Sequence, residues 1–138
     1  MEKNSYNIIL DTSAYSAFLR GNSEIKFSLQ QADEVFFNPI IIGELFAGFI
    51  MSKNEKKNKS ILNEFLSSPR VKIIDIDKET SERYAIILNY LRSKGTPIPT
   101  NDIWISASAM QYGLKVLTTD THYLNVPQII TEYYQVNV

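Results

Sequence analysis

Four carboxylates stand where side chains could do chemistry. Asp11 closes the run Ile8-Ile9-Leu10-Asp11-Thr12-Ser13, and Asp120 closes Val116-Leu117-Thr118-Thr119-Asp120. Asp102 opens the segment Ile103-Trp104-Ile105-Ser106-Ala107-Ser108-Ala109-Met110, and Glu44 is the only ionisable residue from Pro39 to Met51. Three of them have ordinary readings when taken singly. Asp11 is a favoured N-cap at a strand-to-helix junction, accepting the free amide protons of a first helical turn. Asp120 suits a turn in which an Asp bonds its own backbone. Asp102, with Thr100 or Asn101 as the cap, complements a helix macrodipole. Glu44 resists such a reading, because a helix apolar all round should be buried and an unpaired buried carboxylate is costly. It must therefore lie at a wet cleft, pair with a cation or carry a proton. Gly43 and Gly48 flank it and allow backbone or a ligand to come close.

Jointly the four make sense as an acidic pocket. Crowded carboxylates repel, so such a cluster persists only with shared protons or a bound cation. The chain has no cysteine and one histidine, His122, so thiolate zinc sites, cysteine nucleophiles and histidine pairs are excluded. All-oxygen ligation favours Mg²⁺ or Mn²⁺ over zinc. Lys and Arg number 14 against 15 Asp and Glu, a net charge of −1 that offers no basic field to draw in nucleic acid. A phosphodiester could still be engaged if a metal supplies the positive charge where the bond breaks.

The elements that must position these groups alternate. Strands are expected at Tyr6–Asp11, Glu34–Phe37, Val71–Ile74 and Lys115–Thr118, with a weaker fifth near Tyr133–Val136. Helices are expected at Ser13–Leu19, Glu24–Gln31, Ile40–Met51, Lys56–Leu66, Thr80–Ser93 and Asp102–Tyr112. In the fifth of these, Tyr84, Ile87, Leu88 and Leu91 form a core-facing stripe. Strands separated by helices imply parallel crossovers, hence an α/β fold with helices on both faces of the sheet. Ligands in open sheets of this kind bind beyond the carboxyl ends of the strands, where Asp11 and Asp120 both fall. With 138 residues and 44 % apolar composition, the chain suits one globular domain over 1–138. Its early apolar run, Tyr6 to Leu10, is shorter than a secretory core and no stretch reaches membrane-span length, so a cytoplasmic protein without a membrane partner is expected.

At this point the residues match a family. The chain resembles a PIN-domain ribonuclease, specifically the small VapC-type toxins of bacterial toxin–antitoxin pairs. The resemblance rests on Ile9-Leu10-Asp11-Thr12-Ser13, on Ile42-Gly43-Glu44-Leu45, on Pro97-Ile98-Pro99-Thr100-Asn101-Asp102 before an Ala/Ser-rich helix, and on Leu117-Thr118-Thr119-Asp120-Thr121-His122-Tyr123. Order and spacing agree over about residues 5 to 135. It implies a PIN-like three-layer α/β/α fold around a parallel four- to five-stranded sheet, with the acids at one end. It implies catalytic roles for Asp11, Glu44, Asp102 and Asp120, with Asp11, Asp102 and Asp120 as ligands of Mg²⁺ or Mn²⁺. Thr12, Ser13 and Thr118 look like hydroxyls that orient carboxylates or water, and Asn101 like a residue that fixes the loop. The chain departs from the pattern at His122, where the family often has a second acid; this weakens the case for a tightly bound second metal. His122 reads equally as an ordinary loop histidine. The implied reaction is hydrolysis of an RNA phosphodiester to a 5′-phosphate and a 3′-hydroxyl. The implied partners are RNA, a second copy of the chain and a cognate antitoxin.

Two other readings compete. Asp11 after the first strand also suits phosphoryl transfer of the haloacid-dehalogenase kind, although Ser13 stands where those enzymes want a second acid and Lys115 precedes its strand. Alternatively the acids only cap helices in a non-catalytic interaction module. The basic runs Lys53, Lys56, Lys57, Lys59 and Arg83, Arg92, Lys94 read mainly as solvated helix faces.

Overall fold

The structure is a computed structural model and describes residues 5–136. Its strands are β1 (Asn7–Leu10), β2 (Glu34–Phe37), β3 (Val71–Ile73), β4 (Lys115–Thr118) and β5 (Ile130–Tyr133). Its helices are α1 (Thr12–Leu19), α2 (Ser23–Gln31), α3 (Pro39–Met51), α4 (Glu55–Leu66), α5 (Lys78–Lys94) and α6 (Thr100–Tyr112), with a 3-10 helix at Thr121–Asn125. All strand pairs are parallel, in the order β3-β2-β1-β4-β5. The expected parallel α/β fold is present, and its sheet has five strands, within the four to five expected.

The strand order dictates where a ligand can sit. From β1 the chain winds outward through β2 and β3, then returns to the other side of β1 for β4 and β5. Neighbouring connections therefore leave the sheet in opposite directions between β1 and β4, and a crevice opens at their carboxyl ends. Leu10 pairs with Leu117, and the Asp11 amide donates to the Leu117 carbonyl at 3.3 Å. Asp11 and Thr118 thus emerge side by side at that crevice.

The centre of the sheet is apolar on both faces, as helices on either side require. Ile8, Ile9, Leu10, Val116 and Leu117 are completely buried. A second cluster, Ile87, Leu91, Ile103, Ala107 and Val126, lies between α5 and α6, and it includes the expected α5 stripe. Helix termini follow sequence chemistry closely. Asp11, Asn22 and Asn38 cap α1, α2 and α3 with side-chain oxygens, and Asp77 with Thr80 forms a capping box on α5. Gly95 and Gly113 close α5 and α6 in the left-handed conformation.

Three expectations need correction. The fifth strand lies at Ile130–Tyr133, three residues earlier than the Tyr133–Val136 run suggested. β4 is only four residues long, and its Lys115 to Thr118 take Ile130 to Tyr133 as partners, so Tyr134 onward runs past the end of the ladder. Helix α6 begins at Thr100 with Pro99 as N-cap and no side-chain cap, so neither Thr100 nor Asn101 serves in that way. Asp102 does stand in the first turn. Finally, α3 is not enclosed: Ile41, Leu45 and Phe49 are buried, whereas Ile50 and Met51 are 68 % and 87 % exposed.

Tyr15 presents a simple stability test. It is wholly buried, edge-on to Phe37 and Phe65, and its hydroxyl has no partner within the described residues. An unpaired buried hydroxyl costs free energy, so Tyr15→Phe should raise stability by up to about 1 kcal/mol. Thermal or urea unfolding measures this; a clear loss would reveal a hydrogen-bond partner for the hydroxyl, such as an internal water.

Candidate active site

Asp11 is the most enclosed of the four acids, with 4 % of its surface exposed. Its carboxylate accepts hydrogen bonds from the Ala14 amide at 2.9 Å, from Ser13 Oγ at 2.8 and 3.0 Å, and from Thr118 Oγ1 at 2.8 Å. Burial raises its pKa to about 6 and the Asp102 charge pushes the same way, while the Ala14, Thr118 and Ser13 hydrogen bonds resist. Capping and site-building thus coincide: the oxygen that caps α1 belongs to the buried acid at the crevice.

Asp120 follows β4 by two residues and caps the 3-10 helix, accepting from the His122 amide at 2.9 Å. Its own amide donates to Thr118 Oγ1 at 2.9 Å. One threonine hydroxyl therefore ties the end of β4 to the carboxylate at the end of β1. Asp102 enters from α6. Burial raises its pKa, the Asp120 charge adds to this, and hydrogen bonding to His122 and Tyr123 opposes it. Asp102 Oδ2 lies 2.9 Å from His122 Nδ1, which is also 3.0 Å from Asp120 Oδ1. Ligand atoms of Asp102, Asp120 and His122 all fall within 4.8 Å of one another. Asp11 is not one of this trio, although it feels the Asp102 charge.

Glu44 comes from the third side, on α3. Thr12 Oγ1 donates to its Oε1 at 2.6 Å and Asn101 Nδ2 to its Oε2 at 3.2 Å. It is partly exposed and forms no ion pair among the described residues. Of the possibilities open from sequence, a cation partner is not found among the described residues, and the side chain reaches solvent. Glu44→Gln should therefore leave stability within about 0.5 kcal/mol, since no cation is orphaned and Thr12 keeps an acceptor. Unfolding by urea checks this; a large loss would mean that the charge itself supports the fold.

Tyr123 is a site residue that sequence reasoning quoted but gave no role. It is buried, and its hydroxyl donates to Asp102 Oδ1 at 3.3 Å. Burial holds the phenol well above its ordinary pKa, and the charges of Asp11, Asp102 and Glu44 add to this. The phenol is thus a proton-bearing group beside three acids. No local signal announces it: Tyr123 lies in the largely polar stretch Thr121 to Asn125, and its contact with Asp102 spans 21 residues.

The donor set fits a divalent ion: carboxylate oxygens and one imidazole nitrogen from different elements, with two of the acids raised in pKa by burial and mutual charge. In the metal-free protein this arrangement has a pH signature. Asp11 takes up its proton near pH 6 when folded and near 4 when unfolded, so the folded state binds more protons between those values. The stability gained by protonation is full below about pH 4 and lost as pH rises through about 6, a change of about 3 kcal/mol for this group. Urea unfolding in chelator at pH 5 and pH 7.5 should show the acid group's contribution favouring pH 5, with the difference reduced in Asp11→Asn and the remainder due to Asp102.

A match to the PIN domain family covers residues 8–129. The chain belongs to the PIN-domain family. Over 123 residues it is 32 % identical to Toxin FitB of Neisseria gonorrhoeae, spanning 83 % of this chain and 88 % of that protein. It is 29 % identical over 125 residues to a Ribonuclease VapC of Rickettsia bellii, spanning 88 % and 92 %. Among solved structures it resembles a chain of VapBC2 from Rickettsia felis bound to a promoter DNA fragment, with a TM-score of 0.82, 25 % identity and coverage of 93 % and 98 %. These likenesses place it with the VapC-type members of the family.

Proposed function

We propose that this chain is a Mg²⁺- or Mn²⁺-dependent endoribonuclease and the toxin of a type II toxin–antitoxin pair. What supports this reading is the crowding of Asp102 with Asp120 in a PIN fold, with the charges of Asp11, Asp102 and Glu44 all bearing on the Tyr123 hydroxyl. Asp102 and Asp120 would hold the ion, with Asp11 fixed behind them by its three donors. A divalent ion held there would supply positive charge for the phosphate and acidify an attacking water. Glu44, held at both oxygens yet open to solvent, orients that water and takes its proton. The water oxygen would bond to phosphorus as the bond to O3′ breaks; the O3′ oxyanion would take a proton from solvent to give the 3′-hydroxyl beside a 5′-phosphate, and Glu44 would return its proton to solvent. Thr12 and Asn101 set the reach of Glu44, while Ser13 and Thr118 set that of Asp11.

Phosphoryl transfer through Asp11 is less well supported, because both its oxygens already accept hydrogen bonds and the side chain is almost fully enclosed. A purely capping role fits Asp11 and Asp120 but not Asp102 or Glu44, neither of which caps its helix. The whole chain, 1–138, acts as one cytoplasmic domain, with RNA as substrate and a cognate antitoxin as inhibitor. No helix in the described residues is long and apolar enough to cross a membrane. The exposed apolar end of α3, Ile50 and Met51, supports a protein partner there, and a homodimer is part of the proposal.

Incubation with a mixed RNA pool, with Mn²⁺ or with chelator, tests the reading. Expected are metal-dependent internal cuts with 5′-phosphate ends, lost in Asp102→Asn. Phosphate trapped covalently on Asp11, or cutting that persists in chelator, would overturn it.

A further inference from the structure

His122 remains unused by the mechanism above, yet it is the side chain most closely engaged with both metal-site carboxylates. We propose that His122 is itself a ligand, so that the site is a mixed imidazole–carboxylate centre favouring first-row transition ions such as Mn²⁺ over Mg²⁺. The inference rests on the metal-nuclease reading and adds to it the identity of one ligand and the class of ion.

Geometry supplies the first support. His122 Nδ1 lies 2.9 Å from Asp102 Oδ2 and 3.0 Å from Asp120 Oδ1. Adjacent corners of an octahedron whose ligands stand about 2.1 Å from the ion are about 3 Å apart. Nδ1 thus stands at the spacing of a neighbouring ligand from each carboxylate, and ligand atoms of all three residues lie within 4.8 Å of one another. Placement supplies the second. The His122 amide donates to Asp120 Oδ1, so the capped 3-10 turn fixes the imidazole against the carboxylate instead of leaving it on a free loop. The ring is 43 % exposed, and Nε2 has no protein partner among the described residues, so the imidazole meets the two acids through Nδ1 alone, and a bound ion would take the place of those hydrogen bonds.

Donor chemistry then sets the preference. Mg²⁺ takes oxygen ligands and keeps its waters, whereas imidazole suits transition ions. A carboxylate at this position would favour Mg²⁺; the histidine shifts the balance. The alternative is that the imidazole merely bridges Asp102 and Asp120 by hydrogen bonds and leaves when an ion arrives.

Because His122 is the only histidine, the test is unambiguous. Untagged protein, unlabelled and labelled with ¹⁵N-histidine, is loaded with one equivalent of Mn²⁺ and examined by pulsed electron paramagnetic resonance. A directly bound nitrogen is expected, its hyperfine pattern changing with the label. His122→Asn, which places an amide oxygen near the Nδ1 position, should lose the coupling and bind Mn²⁺ about tenfold more weakly, with a much smaller change for Mg²⁺. Mn²⁺ bound one-to-one without nitrogen coupling, or bound more tightly by His122→Asn, would overturn the ligand role and leave the nuclease reading standing. No Mn²⁺ binding at all would overturn both.

Discussion

Asp11→Asn should abolish metal-dependent RNA cleavage and make the metal-free protein more stable. The two effects have one cause. Asp11 is buried among neutral groups and near the Asp102 charge, so its ionised form is held at a cost that raises its pKa to about 6. Asparagine removes that charge while keeping an oxygen for the Ala14 amide and so keeping the α1 cap. At pH 7.5 in chelator the variant should gain about 2 kcal/mol, seen as a melting temperature several degrees higher. Activity should fall at least about 10³-fold, since a charge lost beside the metal removes several kcal/mol of transition-state stabilisation. Such an inverse pair marks a functional charge: a residue kept for the fold would lose stability when replaced. Reduced stability together with retained cleavage would mean that Asp11 is a cap and nothing more.

Thr118→Val should damage both properties together. Thr118 is completely buried; its hydroxyl donates to Asp11 Oδ2 and accepts from the Asp120 amide. Valine preserves the shape and removes both bonds. Asp11 then loses one of the hydrogen bonds that resist its raised pKa, and the Asp120 amide loses its acceptor. We expect a stability loss of about 1–3 kcal/mol for the unmet partners. Cleavage should fall about 10–100-fold, the scale found when a partner that orients a metal ligand is removed. Thr118→Ser, which keeps the hydroxyl, should recover most of the activity. Urea unfolding and initial cleavage rates measure the two effects; a fully active Thr118→Val would show that the crevice positions its acids without this hydroxyl.

What the sequence disclosed was governed by short-range chemistry. The β1 and β4 runs are apolar, end in an acid and announce buried parallel strands, and the α5 stripe repeats at helical spacing. Glu44 could be named because an acid is out of place in an apolar helix, and Asp11, Asp102 and Asp120 because each stands at an end of an expected element. Less was visible where pairing partners decide the outcome. β5 is set by the length of β4, so Tyr134 and Val136 beyond Tyr133 misdirected the strand assignment. The 3-10 helix at Thr121–Asn125 is too brief for a periodic pattern, yet its turn is what brings His122 and Tyr123 back onto Asp102. In α3, composition argued for burial on all sides, but apolar residues are not obliged to be covered, and Ile50 and Met51 are not. The pairings of Thr12 and Asn101 with Glu44 span 32 and 57 residues, distances over which no local rule operates.

The central claim is spatial: acids from separate elements share one divalent ion. A crystal of the chain grown or soaked with Mn²⁺, with data collected at the manganese absorption edge, tests this most directly. An anomalous peak about 2.1 Å from carboxylate oxygens of Asp102 and Asp120 is expected, absent in Asp102→Asn crystals treated in the same way. A peak confined to other surface carboxylates, with Asp102 and Asp120 still free of metal, would contradict it.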